Sequence, residues 1–225
     1  MPRSRRTQRL TTKRFTVYCE GETEGRYVDG LKAWLSKSRP DVKVAVERID
    51  VHGGGYEEFA KRLKIEPDAN CLARFVLLDY DRCLSNPKER IAFMRLLDLS
   101  RGSMRKRVPV VLIVSNESFE YALCCHDPVY REGEPKAFLV RNWGYVNPDD
   151  VKSDKDVWNR AHNGKRGHDV AFEHLCGRPC VIENKIRWER AGFRLRLDDV
   201  AYSVDNESGR SSNLGDLFSS LGFCG

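Results

Sequence analysis

The sequence lacks the features that mark exported and membrane proteins. None of its apolar runs approaches the roughly 20 residues that a membrane-spanning helix needs. Its N-terminus has no apolar segment of the kind found in secretory signals. These absences predict a cytoplasmic protein without a membrane partner. The chain also has no internal repeat, so a solenoid is not indicated.

The eight cysteines do not indicate a disulfide framework in such a protein. In a reducing cytosol we expect free thiols, because disulfides persist mainly in oxidising compartments. Cys124 and Cys125 lie within an apolar segment, where cysteine commonly acts as a small buried hydrophobe. A zinc site at Cys176 and Cys180 is the alternative, but one Cys pair is a weak signal for zinc.

Positive charge is concentrated at the N-terminus. Residues 1–14 contain six basic residues and no acid, and because the net charge is +6, the rest of the chain is formally neutral. Such a basic arm can bind nucleic-acid phosphates. It is equally well explained as a disordered leader that keeps the protein in solution. Both interpretations stay open at this point.

Segments typical of strands and helices alternate over the first half of the chain. Predicted strands cover 14–20, 42–51, 73–79 and 109–114, and helical patterns follow each of them. Thr23 is placed to cap the first helix. This alternation predicts an α/β fold with a mainly parallel, doubly wound sheet. After residue 127 the alternation fails, which predicts a C-terminal α+β extension with one strand at 193–197.

Acidic residues follow two of these strands. Glu20 ends the first strand, and Asp79 and Asp81 end the third, where extended geometry would direct both side chains to one ligand. Ligands of open α/β sheets gather at this edge, and a set of carboxylates suits Mg²⁺ or Mn²⁺. The alternative is ordinary polar residues that close strands. Glu22 and Glu24 fit that alternative, because negative charge is favoured at a helix N-terminus.

Three motifs resemble those of the RloB family, whose members carry a Toprim domain. They are Cys19-Glu20-Gly21-Glu22-Thr23-Glu24, Leu78-Asp79-Tyr80-Asp81 and Ser115-Asn116-Glu117-Ser118-Phe119-Glu120. The resemblance covers about residues 14–126. It has one departure: Glu117 stands where the family usually has proline, in the loop before Glu120.

The resemblance implies a Toprim-like domain at 15–127, preceded by the basic arm at 1–14 and followed by the extension at 128–225. It implies that Glu20, Asp79 and Asp81 bind Mg²⁺ or Mn²⁺, and that Glu120 positions the substrate or supports the metal. The implied activity is cleavage of phosphodiester bonds in DNA or RNA, in prokaryotic anti-phage defence and often beside an ATPase. The alternatives are a non-catalytic partner of such an ATPase, a nucleic-acid-binding module, and, as a minor option, a primase-like nucleotidyl transferase.

Three cations near the predicted site are candidates for offsetting charge in a transition state: Arg82, Lys152 and Lys155. For each of them a solvated surface charge is the more common explanation. The glycine-rich stretch His52–Gly55 resembles a phosphate-binding loop but lacks the Walker pattern, so a flexible connection is favoured. Arg194 and Arg196 share one face of a predicted strand and could contact nucleic acid. The favoured interpretation is a strand with one face in the core and these two arginines in solvent.

Overall fold

The computed structural model describes residues 12–49, 55–189 and 194–223. Most of the predicted basic arm, all of His52–Gly54, and Phe193 fall outside the described residues. A five-stranded sheet forms the centre, in the order β2-β1-β3-β4-β7. Its strands are β1 (Lys13–Cys19), β2 (Val42–Arg48), β3 (Cys71–Asp79), β4 (Val110–Asn116) and β7 (Ser211–Ser212). The first four are mutually parallel and β7 is antiparallel to β4, which confirms the predicted mainly parallel α/β sheet.

Ten α-helices surround the strands in the described parts of the chain. They are α1 (Glu22–Ser38), α2 (Glu57–Leu63), α3 (Asp81–Ser85), α4 (Pro87–Ser103), α5 (Phe119–Cys124), α6 (Pro135–Trp143), α7 (Asp150–Ser153), α8 (Val157–Ala161), α9 (His168–Leu175) and α10 (Leu214–Leu221). Two further strands, β5 (Ile182–Glu189) and β6 (Arg194–Tyr202), form a separate antiparallel ribbon. None of the helices in the described ranges is long and apolar enough to cross a membrane.

The sheet is covered on both faces, as its sequence pattern predicts. Successive side chains of β3 point to opposite faces, so Phe75 and Leu77 join the apolar cluster under α1, while Val76 and Leu78 join the one under α4. All seven residues of β4 are buried, which explains its uninterrupted apolar run from Val110 to Val114. The seven cysteines of the described residues are free thiols and only Cys176 among them is exposed, in agreement with the prediction for this set.

The start of α1 differs from its prediction. The helix begins at Glu22 and its N-cap is Gly21, whereas Thr23 lies inside the first turn and is buried. Helix α1 is fixed to the turn that follows α5 through a buried pair, because the Tyr27 hydroxyl lies 2.7 Å from Nε2 of His126. Burial lowers the pKa of His126 to about 3, so the ring is neutral. Its Nδ1 donates to the carbonyl of Ala122, which leaves Nε2 to accept from the tyrosine.

The second half of the chain is part of the same fold as the first half, because its strand β7 belongs to the central sheet. The predicted strand at 193–197 is part of β6, with Leu195 and Leu197 buried, but Arg194 and Arg196 are half-buried rather than solvated. Strands β5 and β7 and helix α10 were not predicted. The apolar residues of α10 nevertheless recur at helical spacing (Leu214, Leu217, Phe218 and Leu221). The division at residue 127 stays a prediction, although side chains from both sides of it share one apolar cluster.

Two asparagines close the free edge of β4 where β7 ends. Asn213 imitates a neighbouring strand, because its Oδ1 accepts from the backbone N–H of Val114 at 2.7 Å and its Nδ2 donates to the carbonyl of Leu112 at 3.0 Å. Nδ2 of Asn184 donates to the same carbonyl at 2.9 Å. Both amides also donate to Asp216, which holds them in place. Side chains therefore satisfy backbone groups that an open edge would leave unpaired.

We expect Asn213→Ala to destabilise the protein by about 1–3 kcal/mol, because it leaves a buried N–H and weakens the pairing of a buried carbonyl. Urea unfolding followed by circular dichroism measures this free energy. Asn159→Ala is the control, since Asn159 is exposed on α8. We expect it to change stability by less than about 0.5 kcal/mol. Equal effects of the two substitutions would contradict the edge-closing role.

Candidate functional site

The strand order creates a natural ligand position at the carboxyl edge of the sheet. The chain runs from β1 outward to β2 and then returns to the other side of β1 for β3. Such a reversal between neighbouring strands opens a crevice at their carboxyl ends, and ligands of α/β proteins bind in it. Glu20 follows β1 and Asp79 ends β3, so these two carboxylates flank the reversal directly.

A cleft of about 500 Å³ lies at this position. It brings together all four residues that the sequence singled out: Glu20, Asp79, Asp81 and Glu120. The other residues that line it are Gly21, Glu22, Thr23, Glu24, Arg82, Phe119 and Lys152. Six of these eleven side chains are acidic, and the two basic ones are the predicted candidates Arg82 and Lys152. Lys155 does not line the cleft.

Glu20 is fastened to the neighbouring strand. Its Oε2 accepts a hydrogen bond from the backbone N–H of Asp79 at 2.9 Å, and its Oε1 lies 3.6 Å from the guanidinium of Arg82. Arg82 in turn lies 3.5 Å from the carboxylate of Glu89, which also accepts from the backbone N–H of Tyr56. This chain of contacts fixes the distance between the ends of β1 and β3.

Asp79 and Asp81 reach the cleft by a different geometry from the one that the sequence suggested. The backbone turns at Tyr80, whose φ and ψ are −93° and −9°, and Asp81 is the first residue of α3. The prediction of an extended pair was therefore wrong in its geometry, although both side chains face the same cleft. Asp81 is exposed, whereas Oδ1 of Asp79 is buried and has no hydrogen-bond partner.

Glu24 also belongs to the cleft, which sequence reasoning missed. Its side chain is 5% exposed and accepts hydrogen bonds from its own backbone N–H and from that of Gly21. This is one half of a capping box, so the glutamate does serve the helix as predicted. The same backward reach brings its carboxylate to the end of β1. The position of Glu24 in the first helical turn could have indicated this, because helical side chains lean toward the N-terminus.

Glu22 behaves as the sequence predicted. Its carboxylate is exposed and lies 3.5 Å from Arg26 and 3.8 Å from Arg48. It lines only the rim of the cleft, and negative charge at this end of α1 is favourable. Of the two glutamates assigned to the helix, Glu22 is exposed, whereas Glu24 is buried beside Glu120 in the cleft.

The third motif is held by the C-terminal residues. The side-chain amide of Asn116 donates to the backbone carbonyls of residues 206, 207 and 209, at 3.2, 2.9 and 2.5 Å. Glu117, which stands in place of the family's proline, points away from the cleft and forms an ion pair with Arg210 at 2.7 Å. Glu120 lies in the first turn of α5 and is buried at the cleft. The departure at Glu117 therefore leaves Glu120 within the acidic cluster.

Burial and mutual repulsion raise the pKa values of four carboxyls in the cleft, those of Glu20, Glu24, Asp79 and Asp81. Burial is the largest cause for each: the pKa of Glu20 rises to about 8 and that of Glu24 to about 7. The pKa of Asp79 lies well above its usual range, because burial acts together with Glu24, Glu20 and Glu120. Burial also raises the pKa of Asp81. At neutral pH the cleft therefore favours bound protons or a bound cation.

The donor set fits a hard divalent cation, since it consists of carboxylate oxygens and includes the unpartnered Oδ1 of Asp79. The side chains as they stand do not form a coordination shell: across the described ranges, no group of three or more His, Cys, Asp or Glu is arranged to hold a metal ion. This finding includes Cys176, Cys180 and the nearby histidines. In the acidic cleft, Glu20 and Glu24 are instead turned to backbone N–H groups.

No family model matches this chain, and no curated protein or solved structure matches it either. The resemblance to the RloB family therefore depends on the three short motifs and on the cleft in which they meet.

Glu20→Gln should make the metal-free protein more stable at pH 8, because it removes a buried charge and keeps the acceptor for the Asp79 N–H. The folded pKa of about 8 exceeds the ordinary 4.5. The contribution of the protonated Glu20 carboxyl to the free energy of unfolding is therefore fully present below pH 4.5. It is lost as the pH rises through about 8. We expect a gain of about 1–3 kcal/mol at pH 8 and none at pH 4, measured by urea unfolding in EDTA.

Glu22→Gln is the control for this experiment, because it removes an exposed charge only two residues away, in the first turn of α1. It should shift stability by less than about 0.5 kcal/mol at both pH values. If the stabilities of wild type and Glu20→Gln changed in parallel with pH, burial would not raise the pKa of the Glu20 carboxyl.

Proposed function

We propose that this protein is a divalent-metal-dependent endonuclease of the RloB type, with a Toprim-like domain that cleaves phosphodiester bonds in nucleic acid. The observation that carries the proposal is the convergence of Glu20, Asp79, Asp81 and Glu120 on one cleft at the strand reversal. A purely structural role gives no reason to bury repelling carboxylates together, because buried charges are costly without a partner. The three motifs that carry the resemblance meet at this cleft.

In this proposal Glu20, Asp79 and Asp81 hold Mg²⁺ or Mn²⁺, which, when bound, polarises the phosphate and lowers the pKa of an attacking water. Glu24 and Glu120 add negative charge behind these ligands and strengthen cation binding. Arg82 is placed to keep Glu20 oriented, through its contacts with Glu20 and Glu89.

Lys152 gives this site a cation that comes from the C-terminal half of the chain. It lines the cleft from α7, and its charge lowers the pKa of Glu24. Its side chain is 63% exposed and its ammonium lies 3.9 Å from Asp149, so it remains available to a ligand. We propose that Lys152 contacts the phosphate and offsets the charge that develops during cleavage. The proposed setting is prokaryotic anti-phage defence in the cytoplasm, with an ATPase as partner.

Asp79→Asn and Asp81→Asn should each reduce cleavage at least about 100-fold, because they remove donors to the cation. Purified protein is incubated with plasmid DNA, single-stranded DNA and tRNA, with Mg²⁺, with Mn²⁺ or with EDTA. Glu117→Gln is the control, since Glu117 lies in the third motif but points away from the cleft. Cleavage that persists unchanged in both aspartate variants would reject the assignment of the site.

Lys152→Ala should lower kcat about 10- to 100-fold and leave the fold unchanged, because the residue is exposed and acts on the phosphate. Lys155→Ala is the matched control: it removes the same charge three residues away, outside the cleft. Steady-state cleavage of a fluorescent oligonucleotide provides kcat and KM for both. Equal losses in the two variants would assign Lys152 to general attraction of the substrate.

A second candidate is a non-catalytic partner of an ATPase or a nucleic-acid-binding module. The observation in its favour is that the carboxylates of the described residues are not arranged around a metal position and that Glu20 already has an ion pair. This candidate predicts no metal-dependent cleavage by the protein alone or after addition of the ATPase. Cleavage that appears on mixing the two proteins would return the assignment to the nuclease.

A further inference from the structure

An almost buried arginine lies near the opposite end of the sheet from the acidic cleft. Arg74 is near the start of β3 and is only 5% exposed. One of its terminal nitrogens donates to the carbonyls of Leu63 and Ile65, at 2.9 and 3.0 Å, where α2 ends. Its Nε is buried and has no hydrogen-bond partner. The hydroxyl of Tyr18 lies beside the guanidinium.

The charge of Arg74 is not paired with an acid. No carboxylate in the described ranges lies within 4.0 Å of its nitrogens. A guanidinium stays protonated in proteins, and a buried charge without a counter-ion is unfavourable. Carbonyl dipoles at the end of α2 offset this in part. They leave the positive charge in place, and an anionic ligand would compensate it.

A pocket of about 530 Å³ provides the space for such a ligand. Arg74 lines it together with three exposed cations, Lys64, Lys106 and Arg107. Two acids, Glu66 and Asp68, also line it. The remaining lining residues are Leu63, Ile65, Pro67, Ala69, Leu99 and Val108.

One of the two acids is already engaged. The carboxylate of Asp68 lies 3.6 Å from Arg14 and accepts from the backbone N–H of Asn70 at 2.7 Å. The pocket therefore has an excess of positive charge. Arg14 lies near the start of β1, so the strand that follows the basic N-terminal sequence begins at this same edge. Positive charge is thus concentrated at the amino ends of the parallel strands, and negative charge at their carboxyl ends.

We propose that the pocket of Arg74 binds a phosphate group. Arginine presents several donors in a planar fork that matches phosphate oxygens, and the flexible ammonium of Lys106 adds a mobile positive charge. The volume accommodates a phosphate together with an attached sugar or nucleotide. The phosphate belongs to a free ion, to a mononucleotide or to a nucleic-acid backbone, and these sources share the same recognition chemistry.

Binding is measured with the full chain by isothermal titration calorimetry in EDTA, at constant ionic strength. The probes are inorganic phosphate, a nucleoside monophosphate, and a 12-nucleotide single-stranded DNA without terminal phosphates, with sodium chloride as the reference. We expect saturable binding of at least one phosphate probe. Binding of inorganic phosphate identifies a free-ion site, binding of the nucleotide but not of phosphate a nucleotide site, and binding of the DNA alone a backbone site.

Variants of the rim locate the site without disturbing the core. The double variant Lys106→Ala/Arg107→Ala should weaken binding at least about tenfold, because two charged contacts are lost. Arg105→Ala is the matched control: it removes a charge from the same loop, at a residue that does not line the pocket. It should weaken binding less than about twofold, since it alters only the general field. Arg74→Lys, which keeps the charge and loses the fork, should weaken binding in a protein that still unfolds cooperatively.

The proposal is overturned if no phosphate probe binds saturably, or if Arg105→Ala weakens binding as much as the double rim variant. The first result would show that Arg74 serves only to close the end of α2. The test is independent of nuclease activity, because it is carried out without metal. Asp79→Asn should bind the phosphate probe as wild type does, so a failure of the nuclease proposal leaves this result unaffected.

Discussion

Repulsion among carboxylates that share one poorly solvated cleft is the constraint on which the rest of the site depends. Glu20, Glu24, Asp79 and Glu120 are drawn together because a strand end, two helix N-termini and a strand reversal meet at one point. Each local preference is ordinary, since acids are favoured where strands close and where helices begin. Together they produce a cluster in which burial and neighbouring carboxylates raise the pKa values of Glu20, Glu24 and Asp79. Bound protons or a bound cation would compensate the charge of this cluster.

The residues that hold this cluster in place come from distant parts of the chain. The Tyr80 hydroxyl, between the two aspartates in sequence, donates to Glu207 at 2.7 Å, and Arg90 binds the same carboxylate. Asn116 binds three carbonyls of the segment that contains Glu207. The turn after β3 is therefore fixed by residues more than one hundred positions later. A cleavage between residues 127 and 128 would separate the carboxylates from the contacts that orient them.

The sequence allowed the strand ends, and hence Glu20, Asp79 and Asp81, to be predicted, because buried parallel strands have continuous apolar runs that end abruptly. Glu120 was reached only through resemblance, since nothing local distinguishes it from any acid in a first helical turn. Lys152 was one of three candidate cations in the sequence, and only the tertiary structure distinguishes it from Lys155. The role of Asn213 also required the tertiary structure. The role of each residue depends on which distant backbone groups or acids lie opposite it. The short helices in the second half of the chain have no sequence periodicity that would predict these contacts. Strand β7 has only two residues, too few for any period.

The separation of charge along β3 has a consequence for how a polyanion would meet this protein. Arg74 and Asp79 are five residues apart on one strand, or about 17 Å at the usual rise. On the two proposals above, a phosphate chain would be attracted to the end of the sheet that contains Arg74 and repelled from the cleft while its carboxylates are charged and no cation is bound. A bound cation would reverse the second interaction and leave the first unchanged. Attraction of phosphate and dependence on metal would therefore be properties of different ends of the same strand, and each could be removed by substitution without the other.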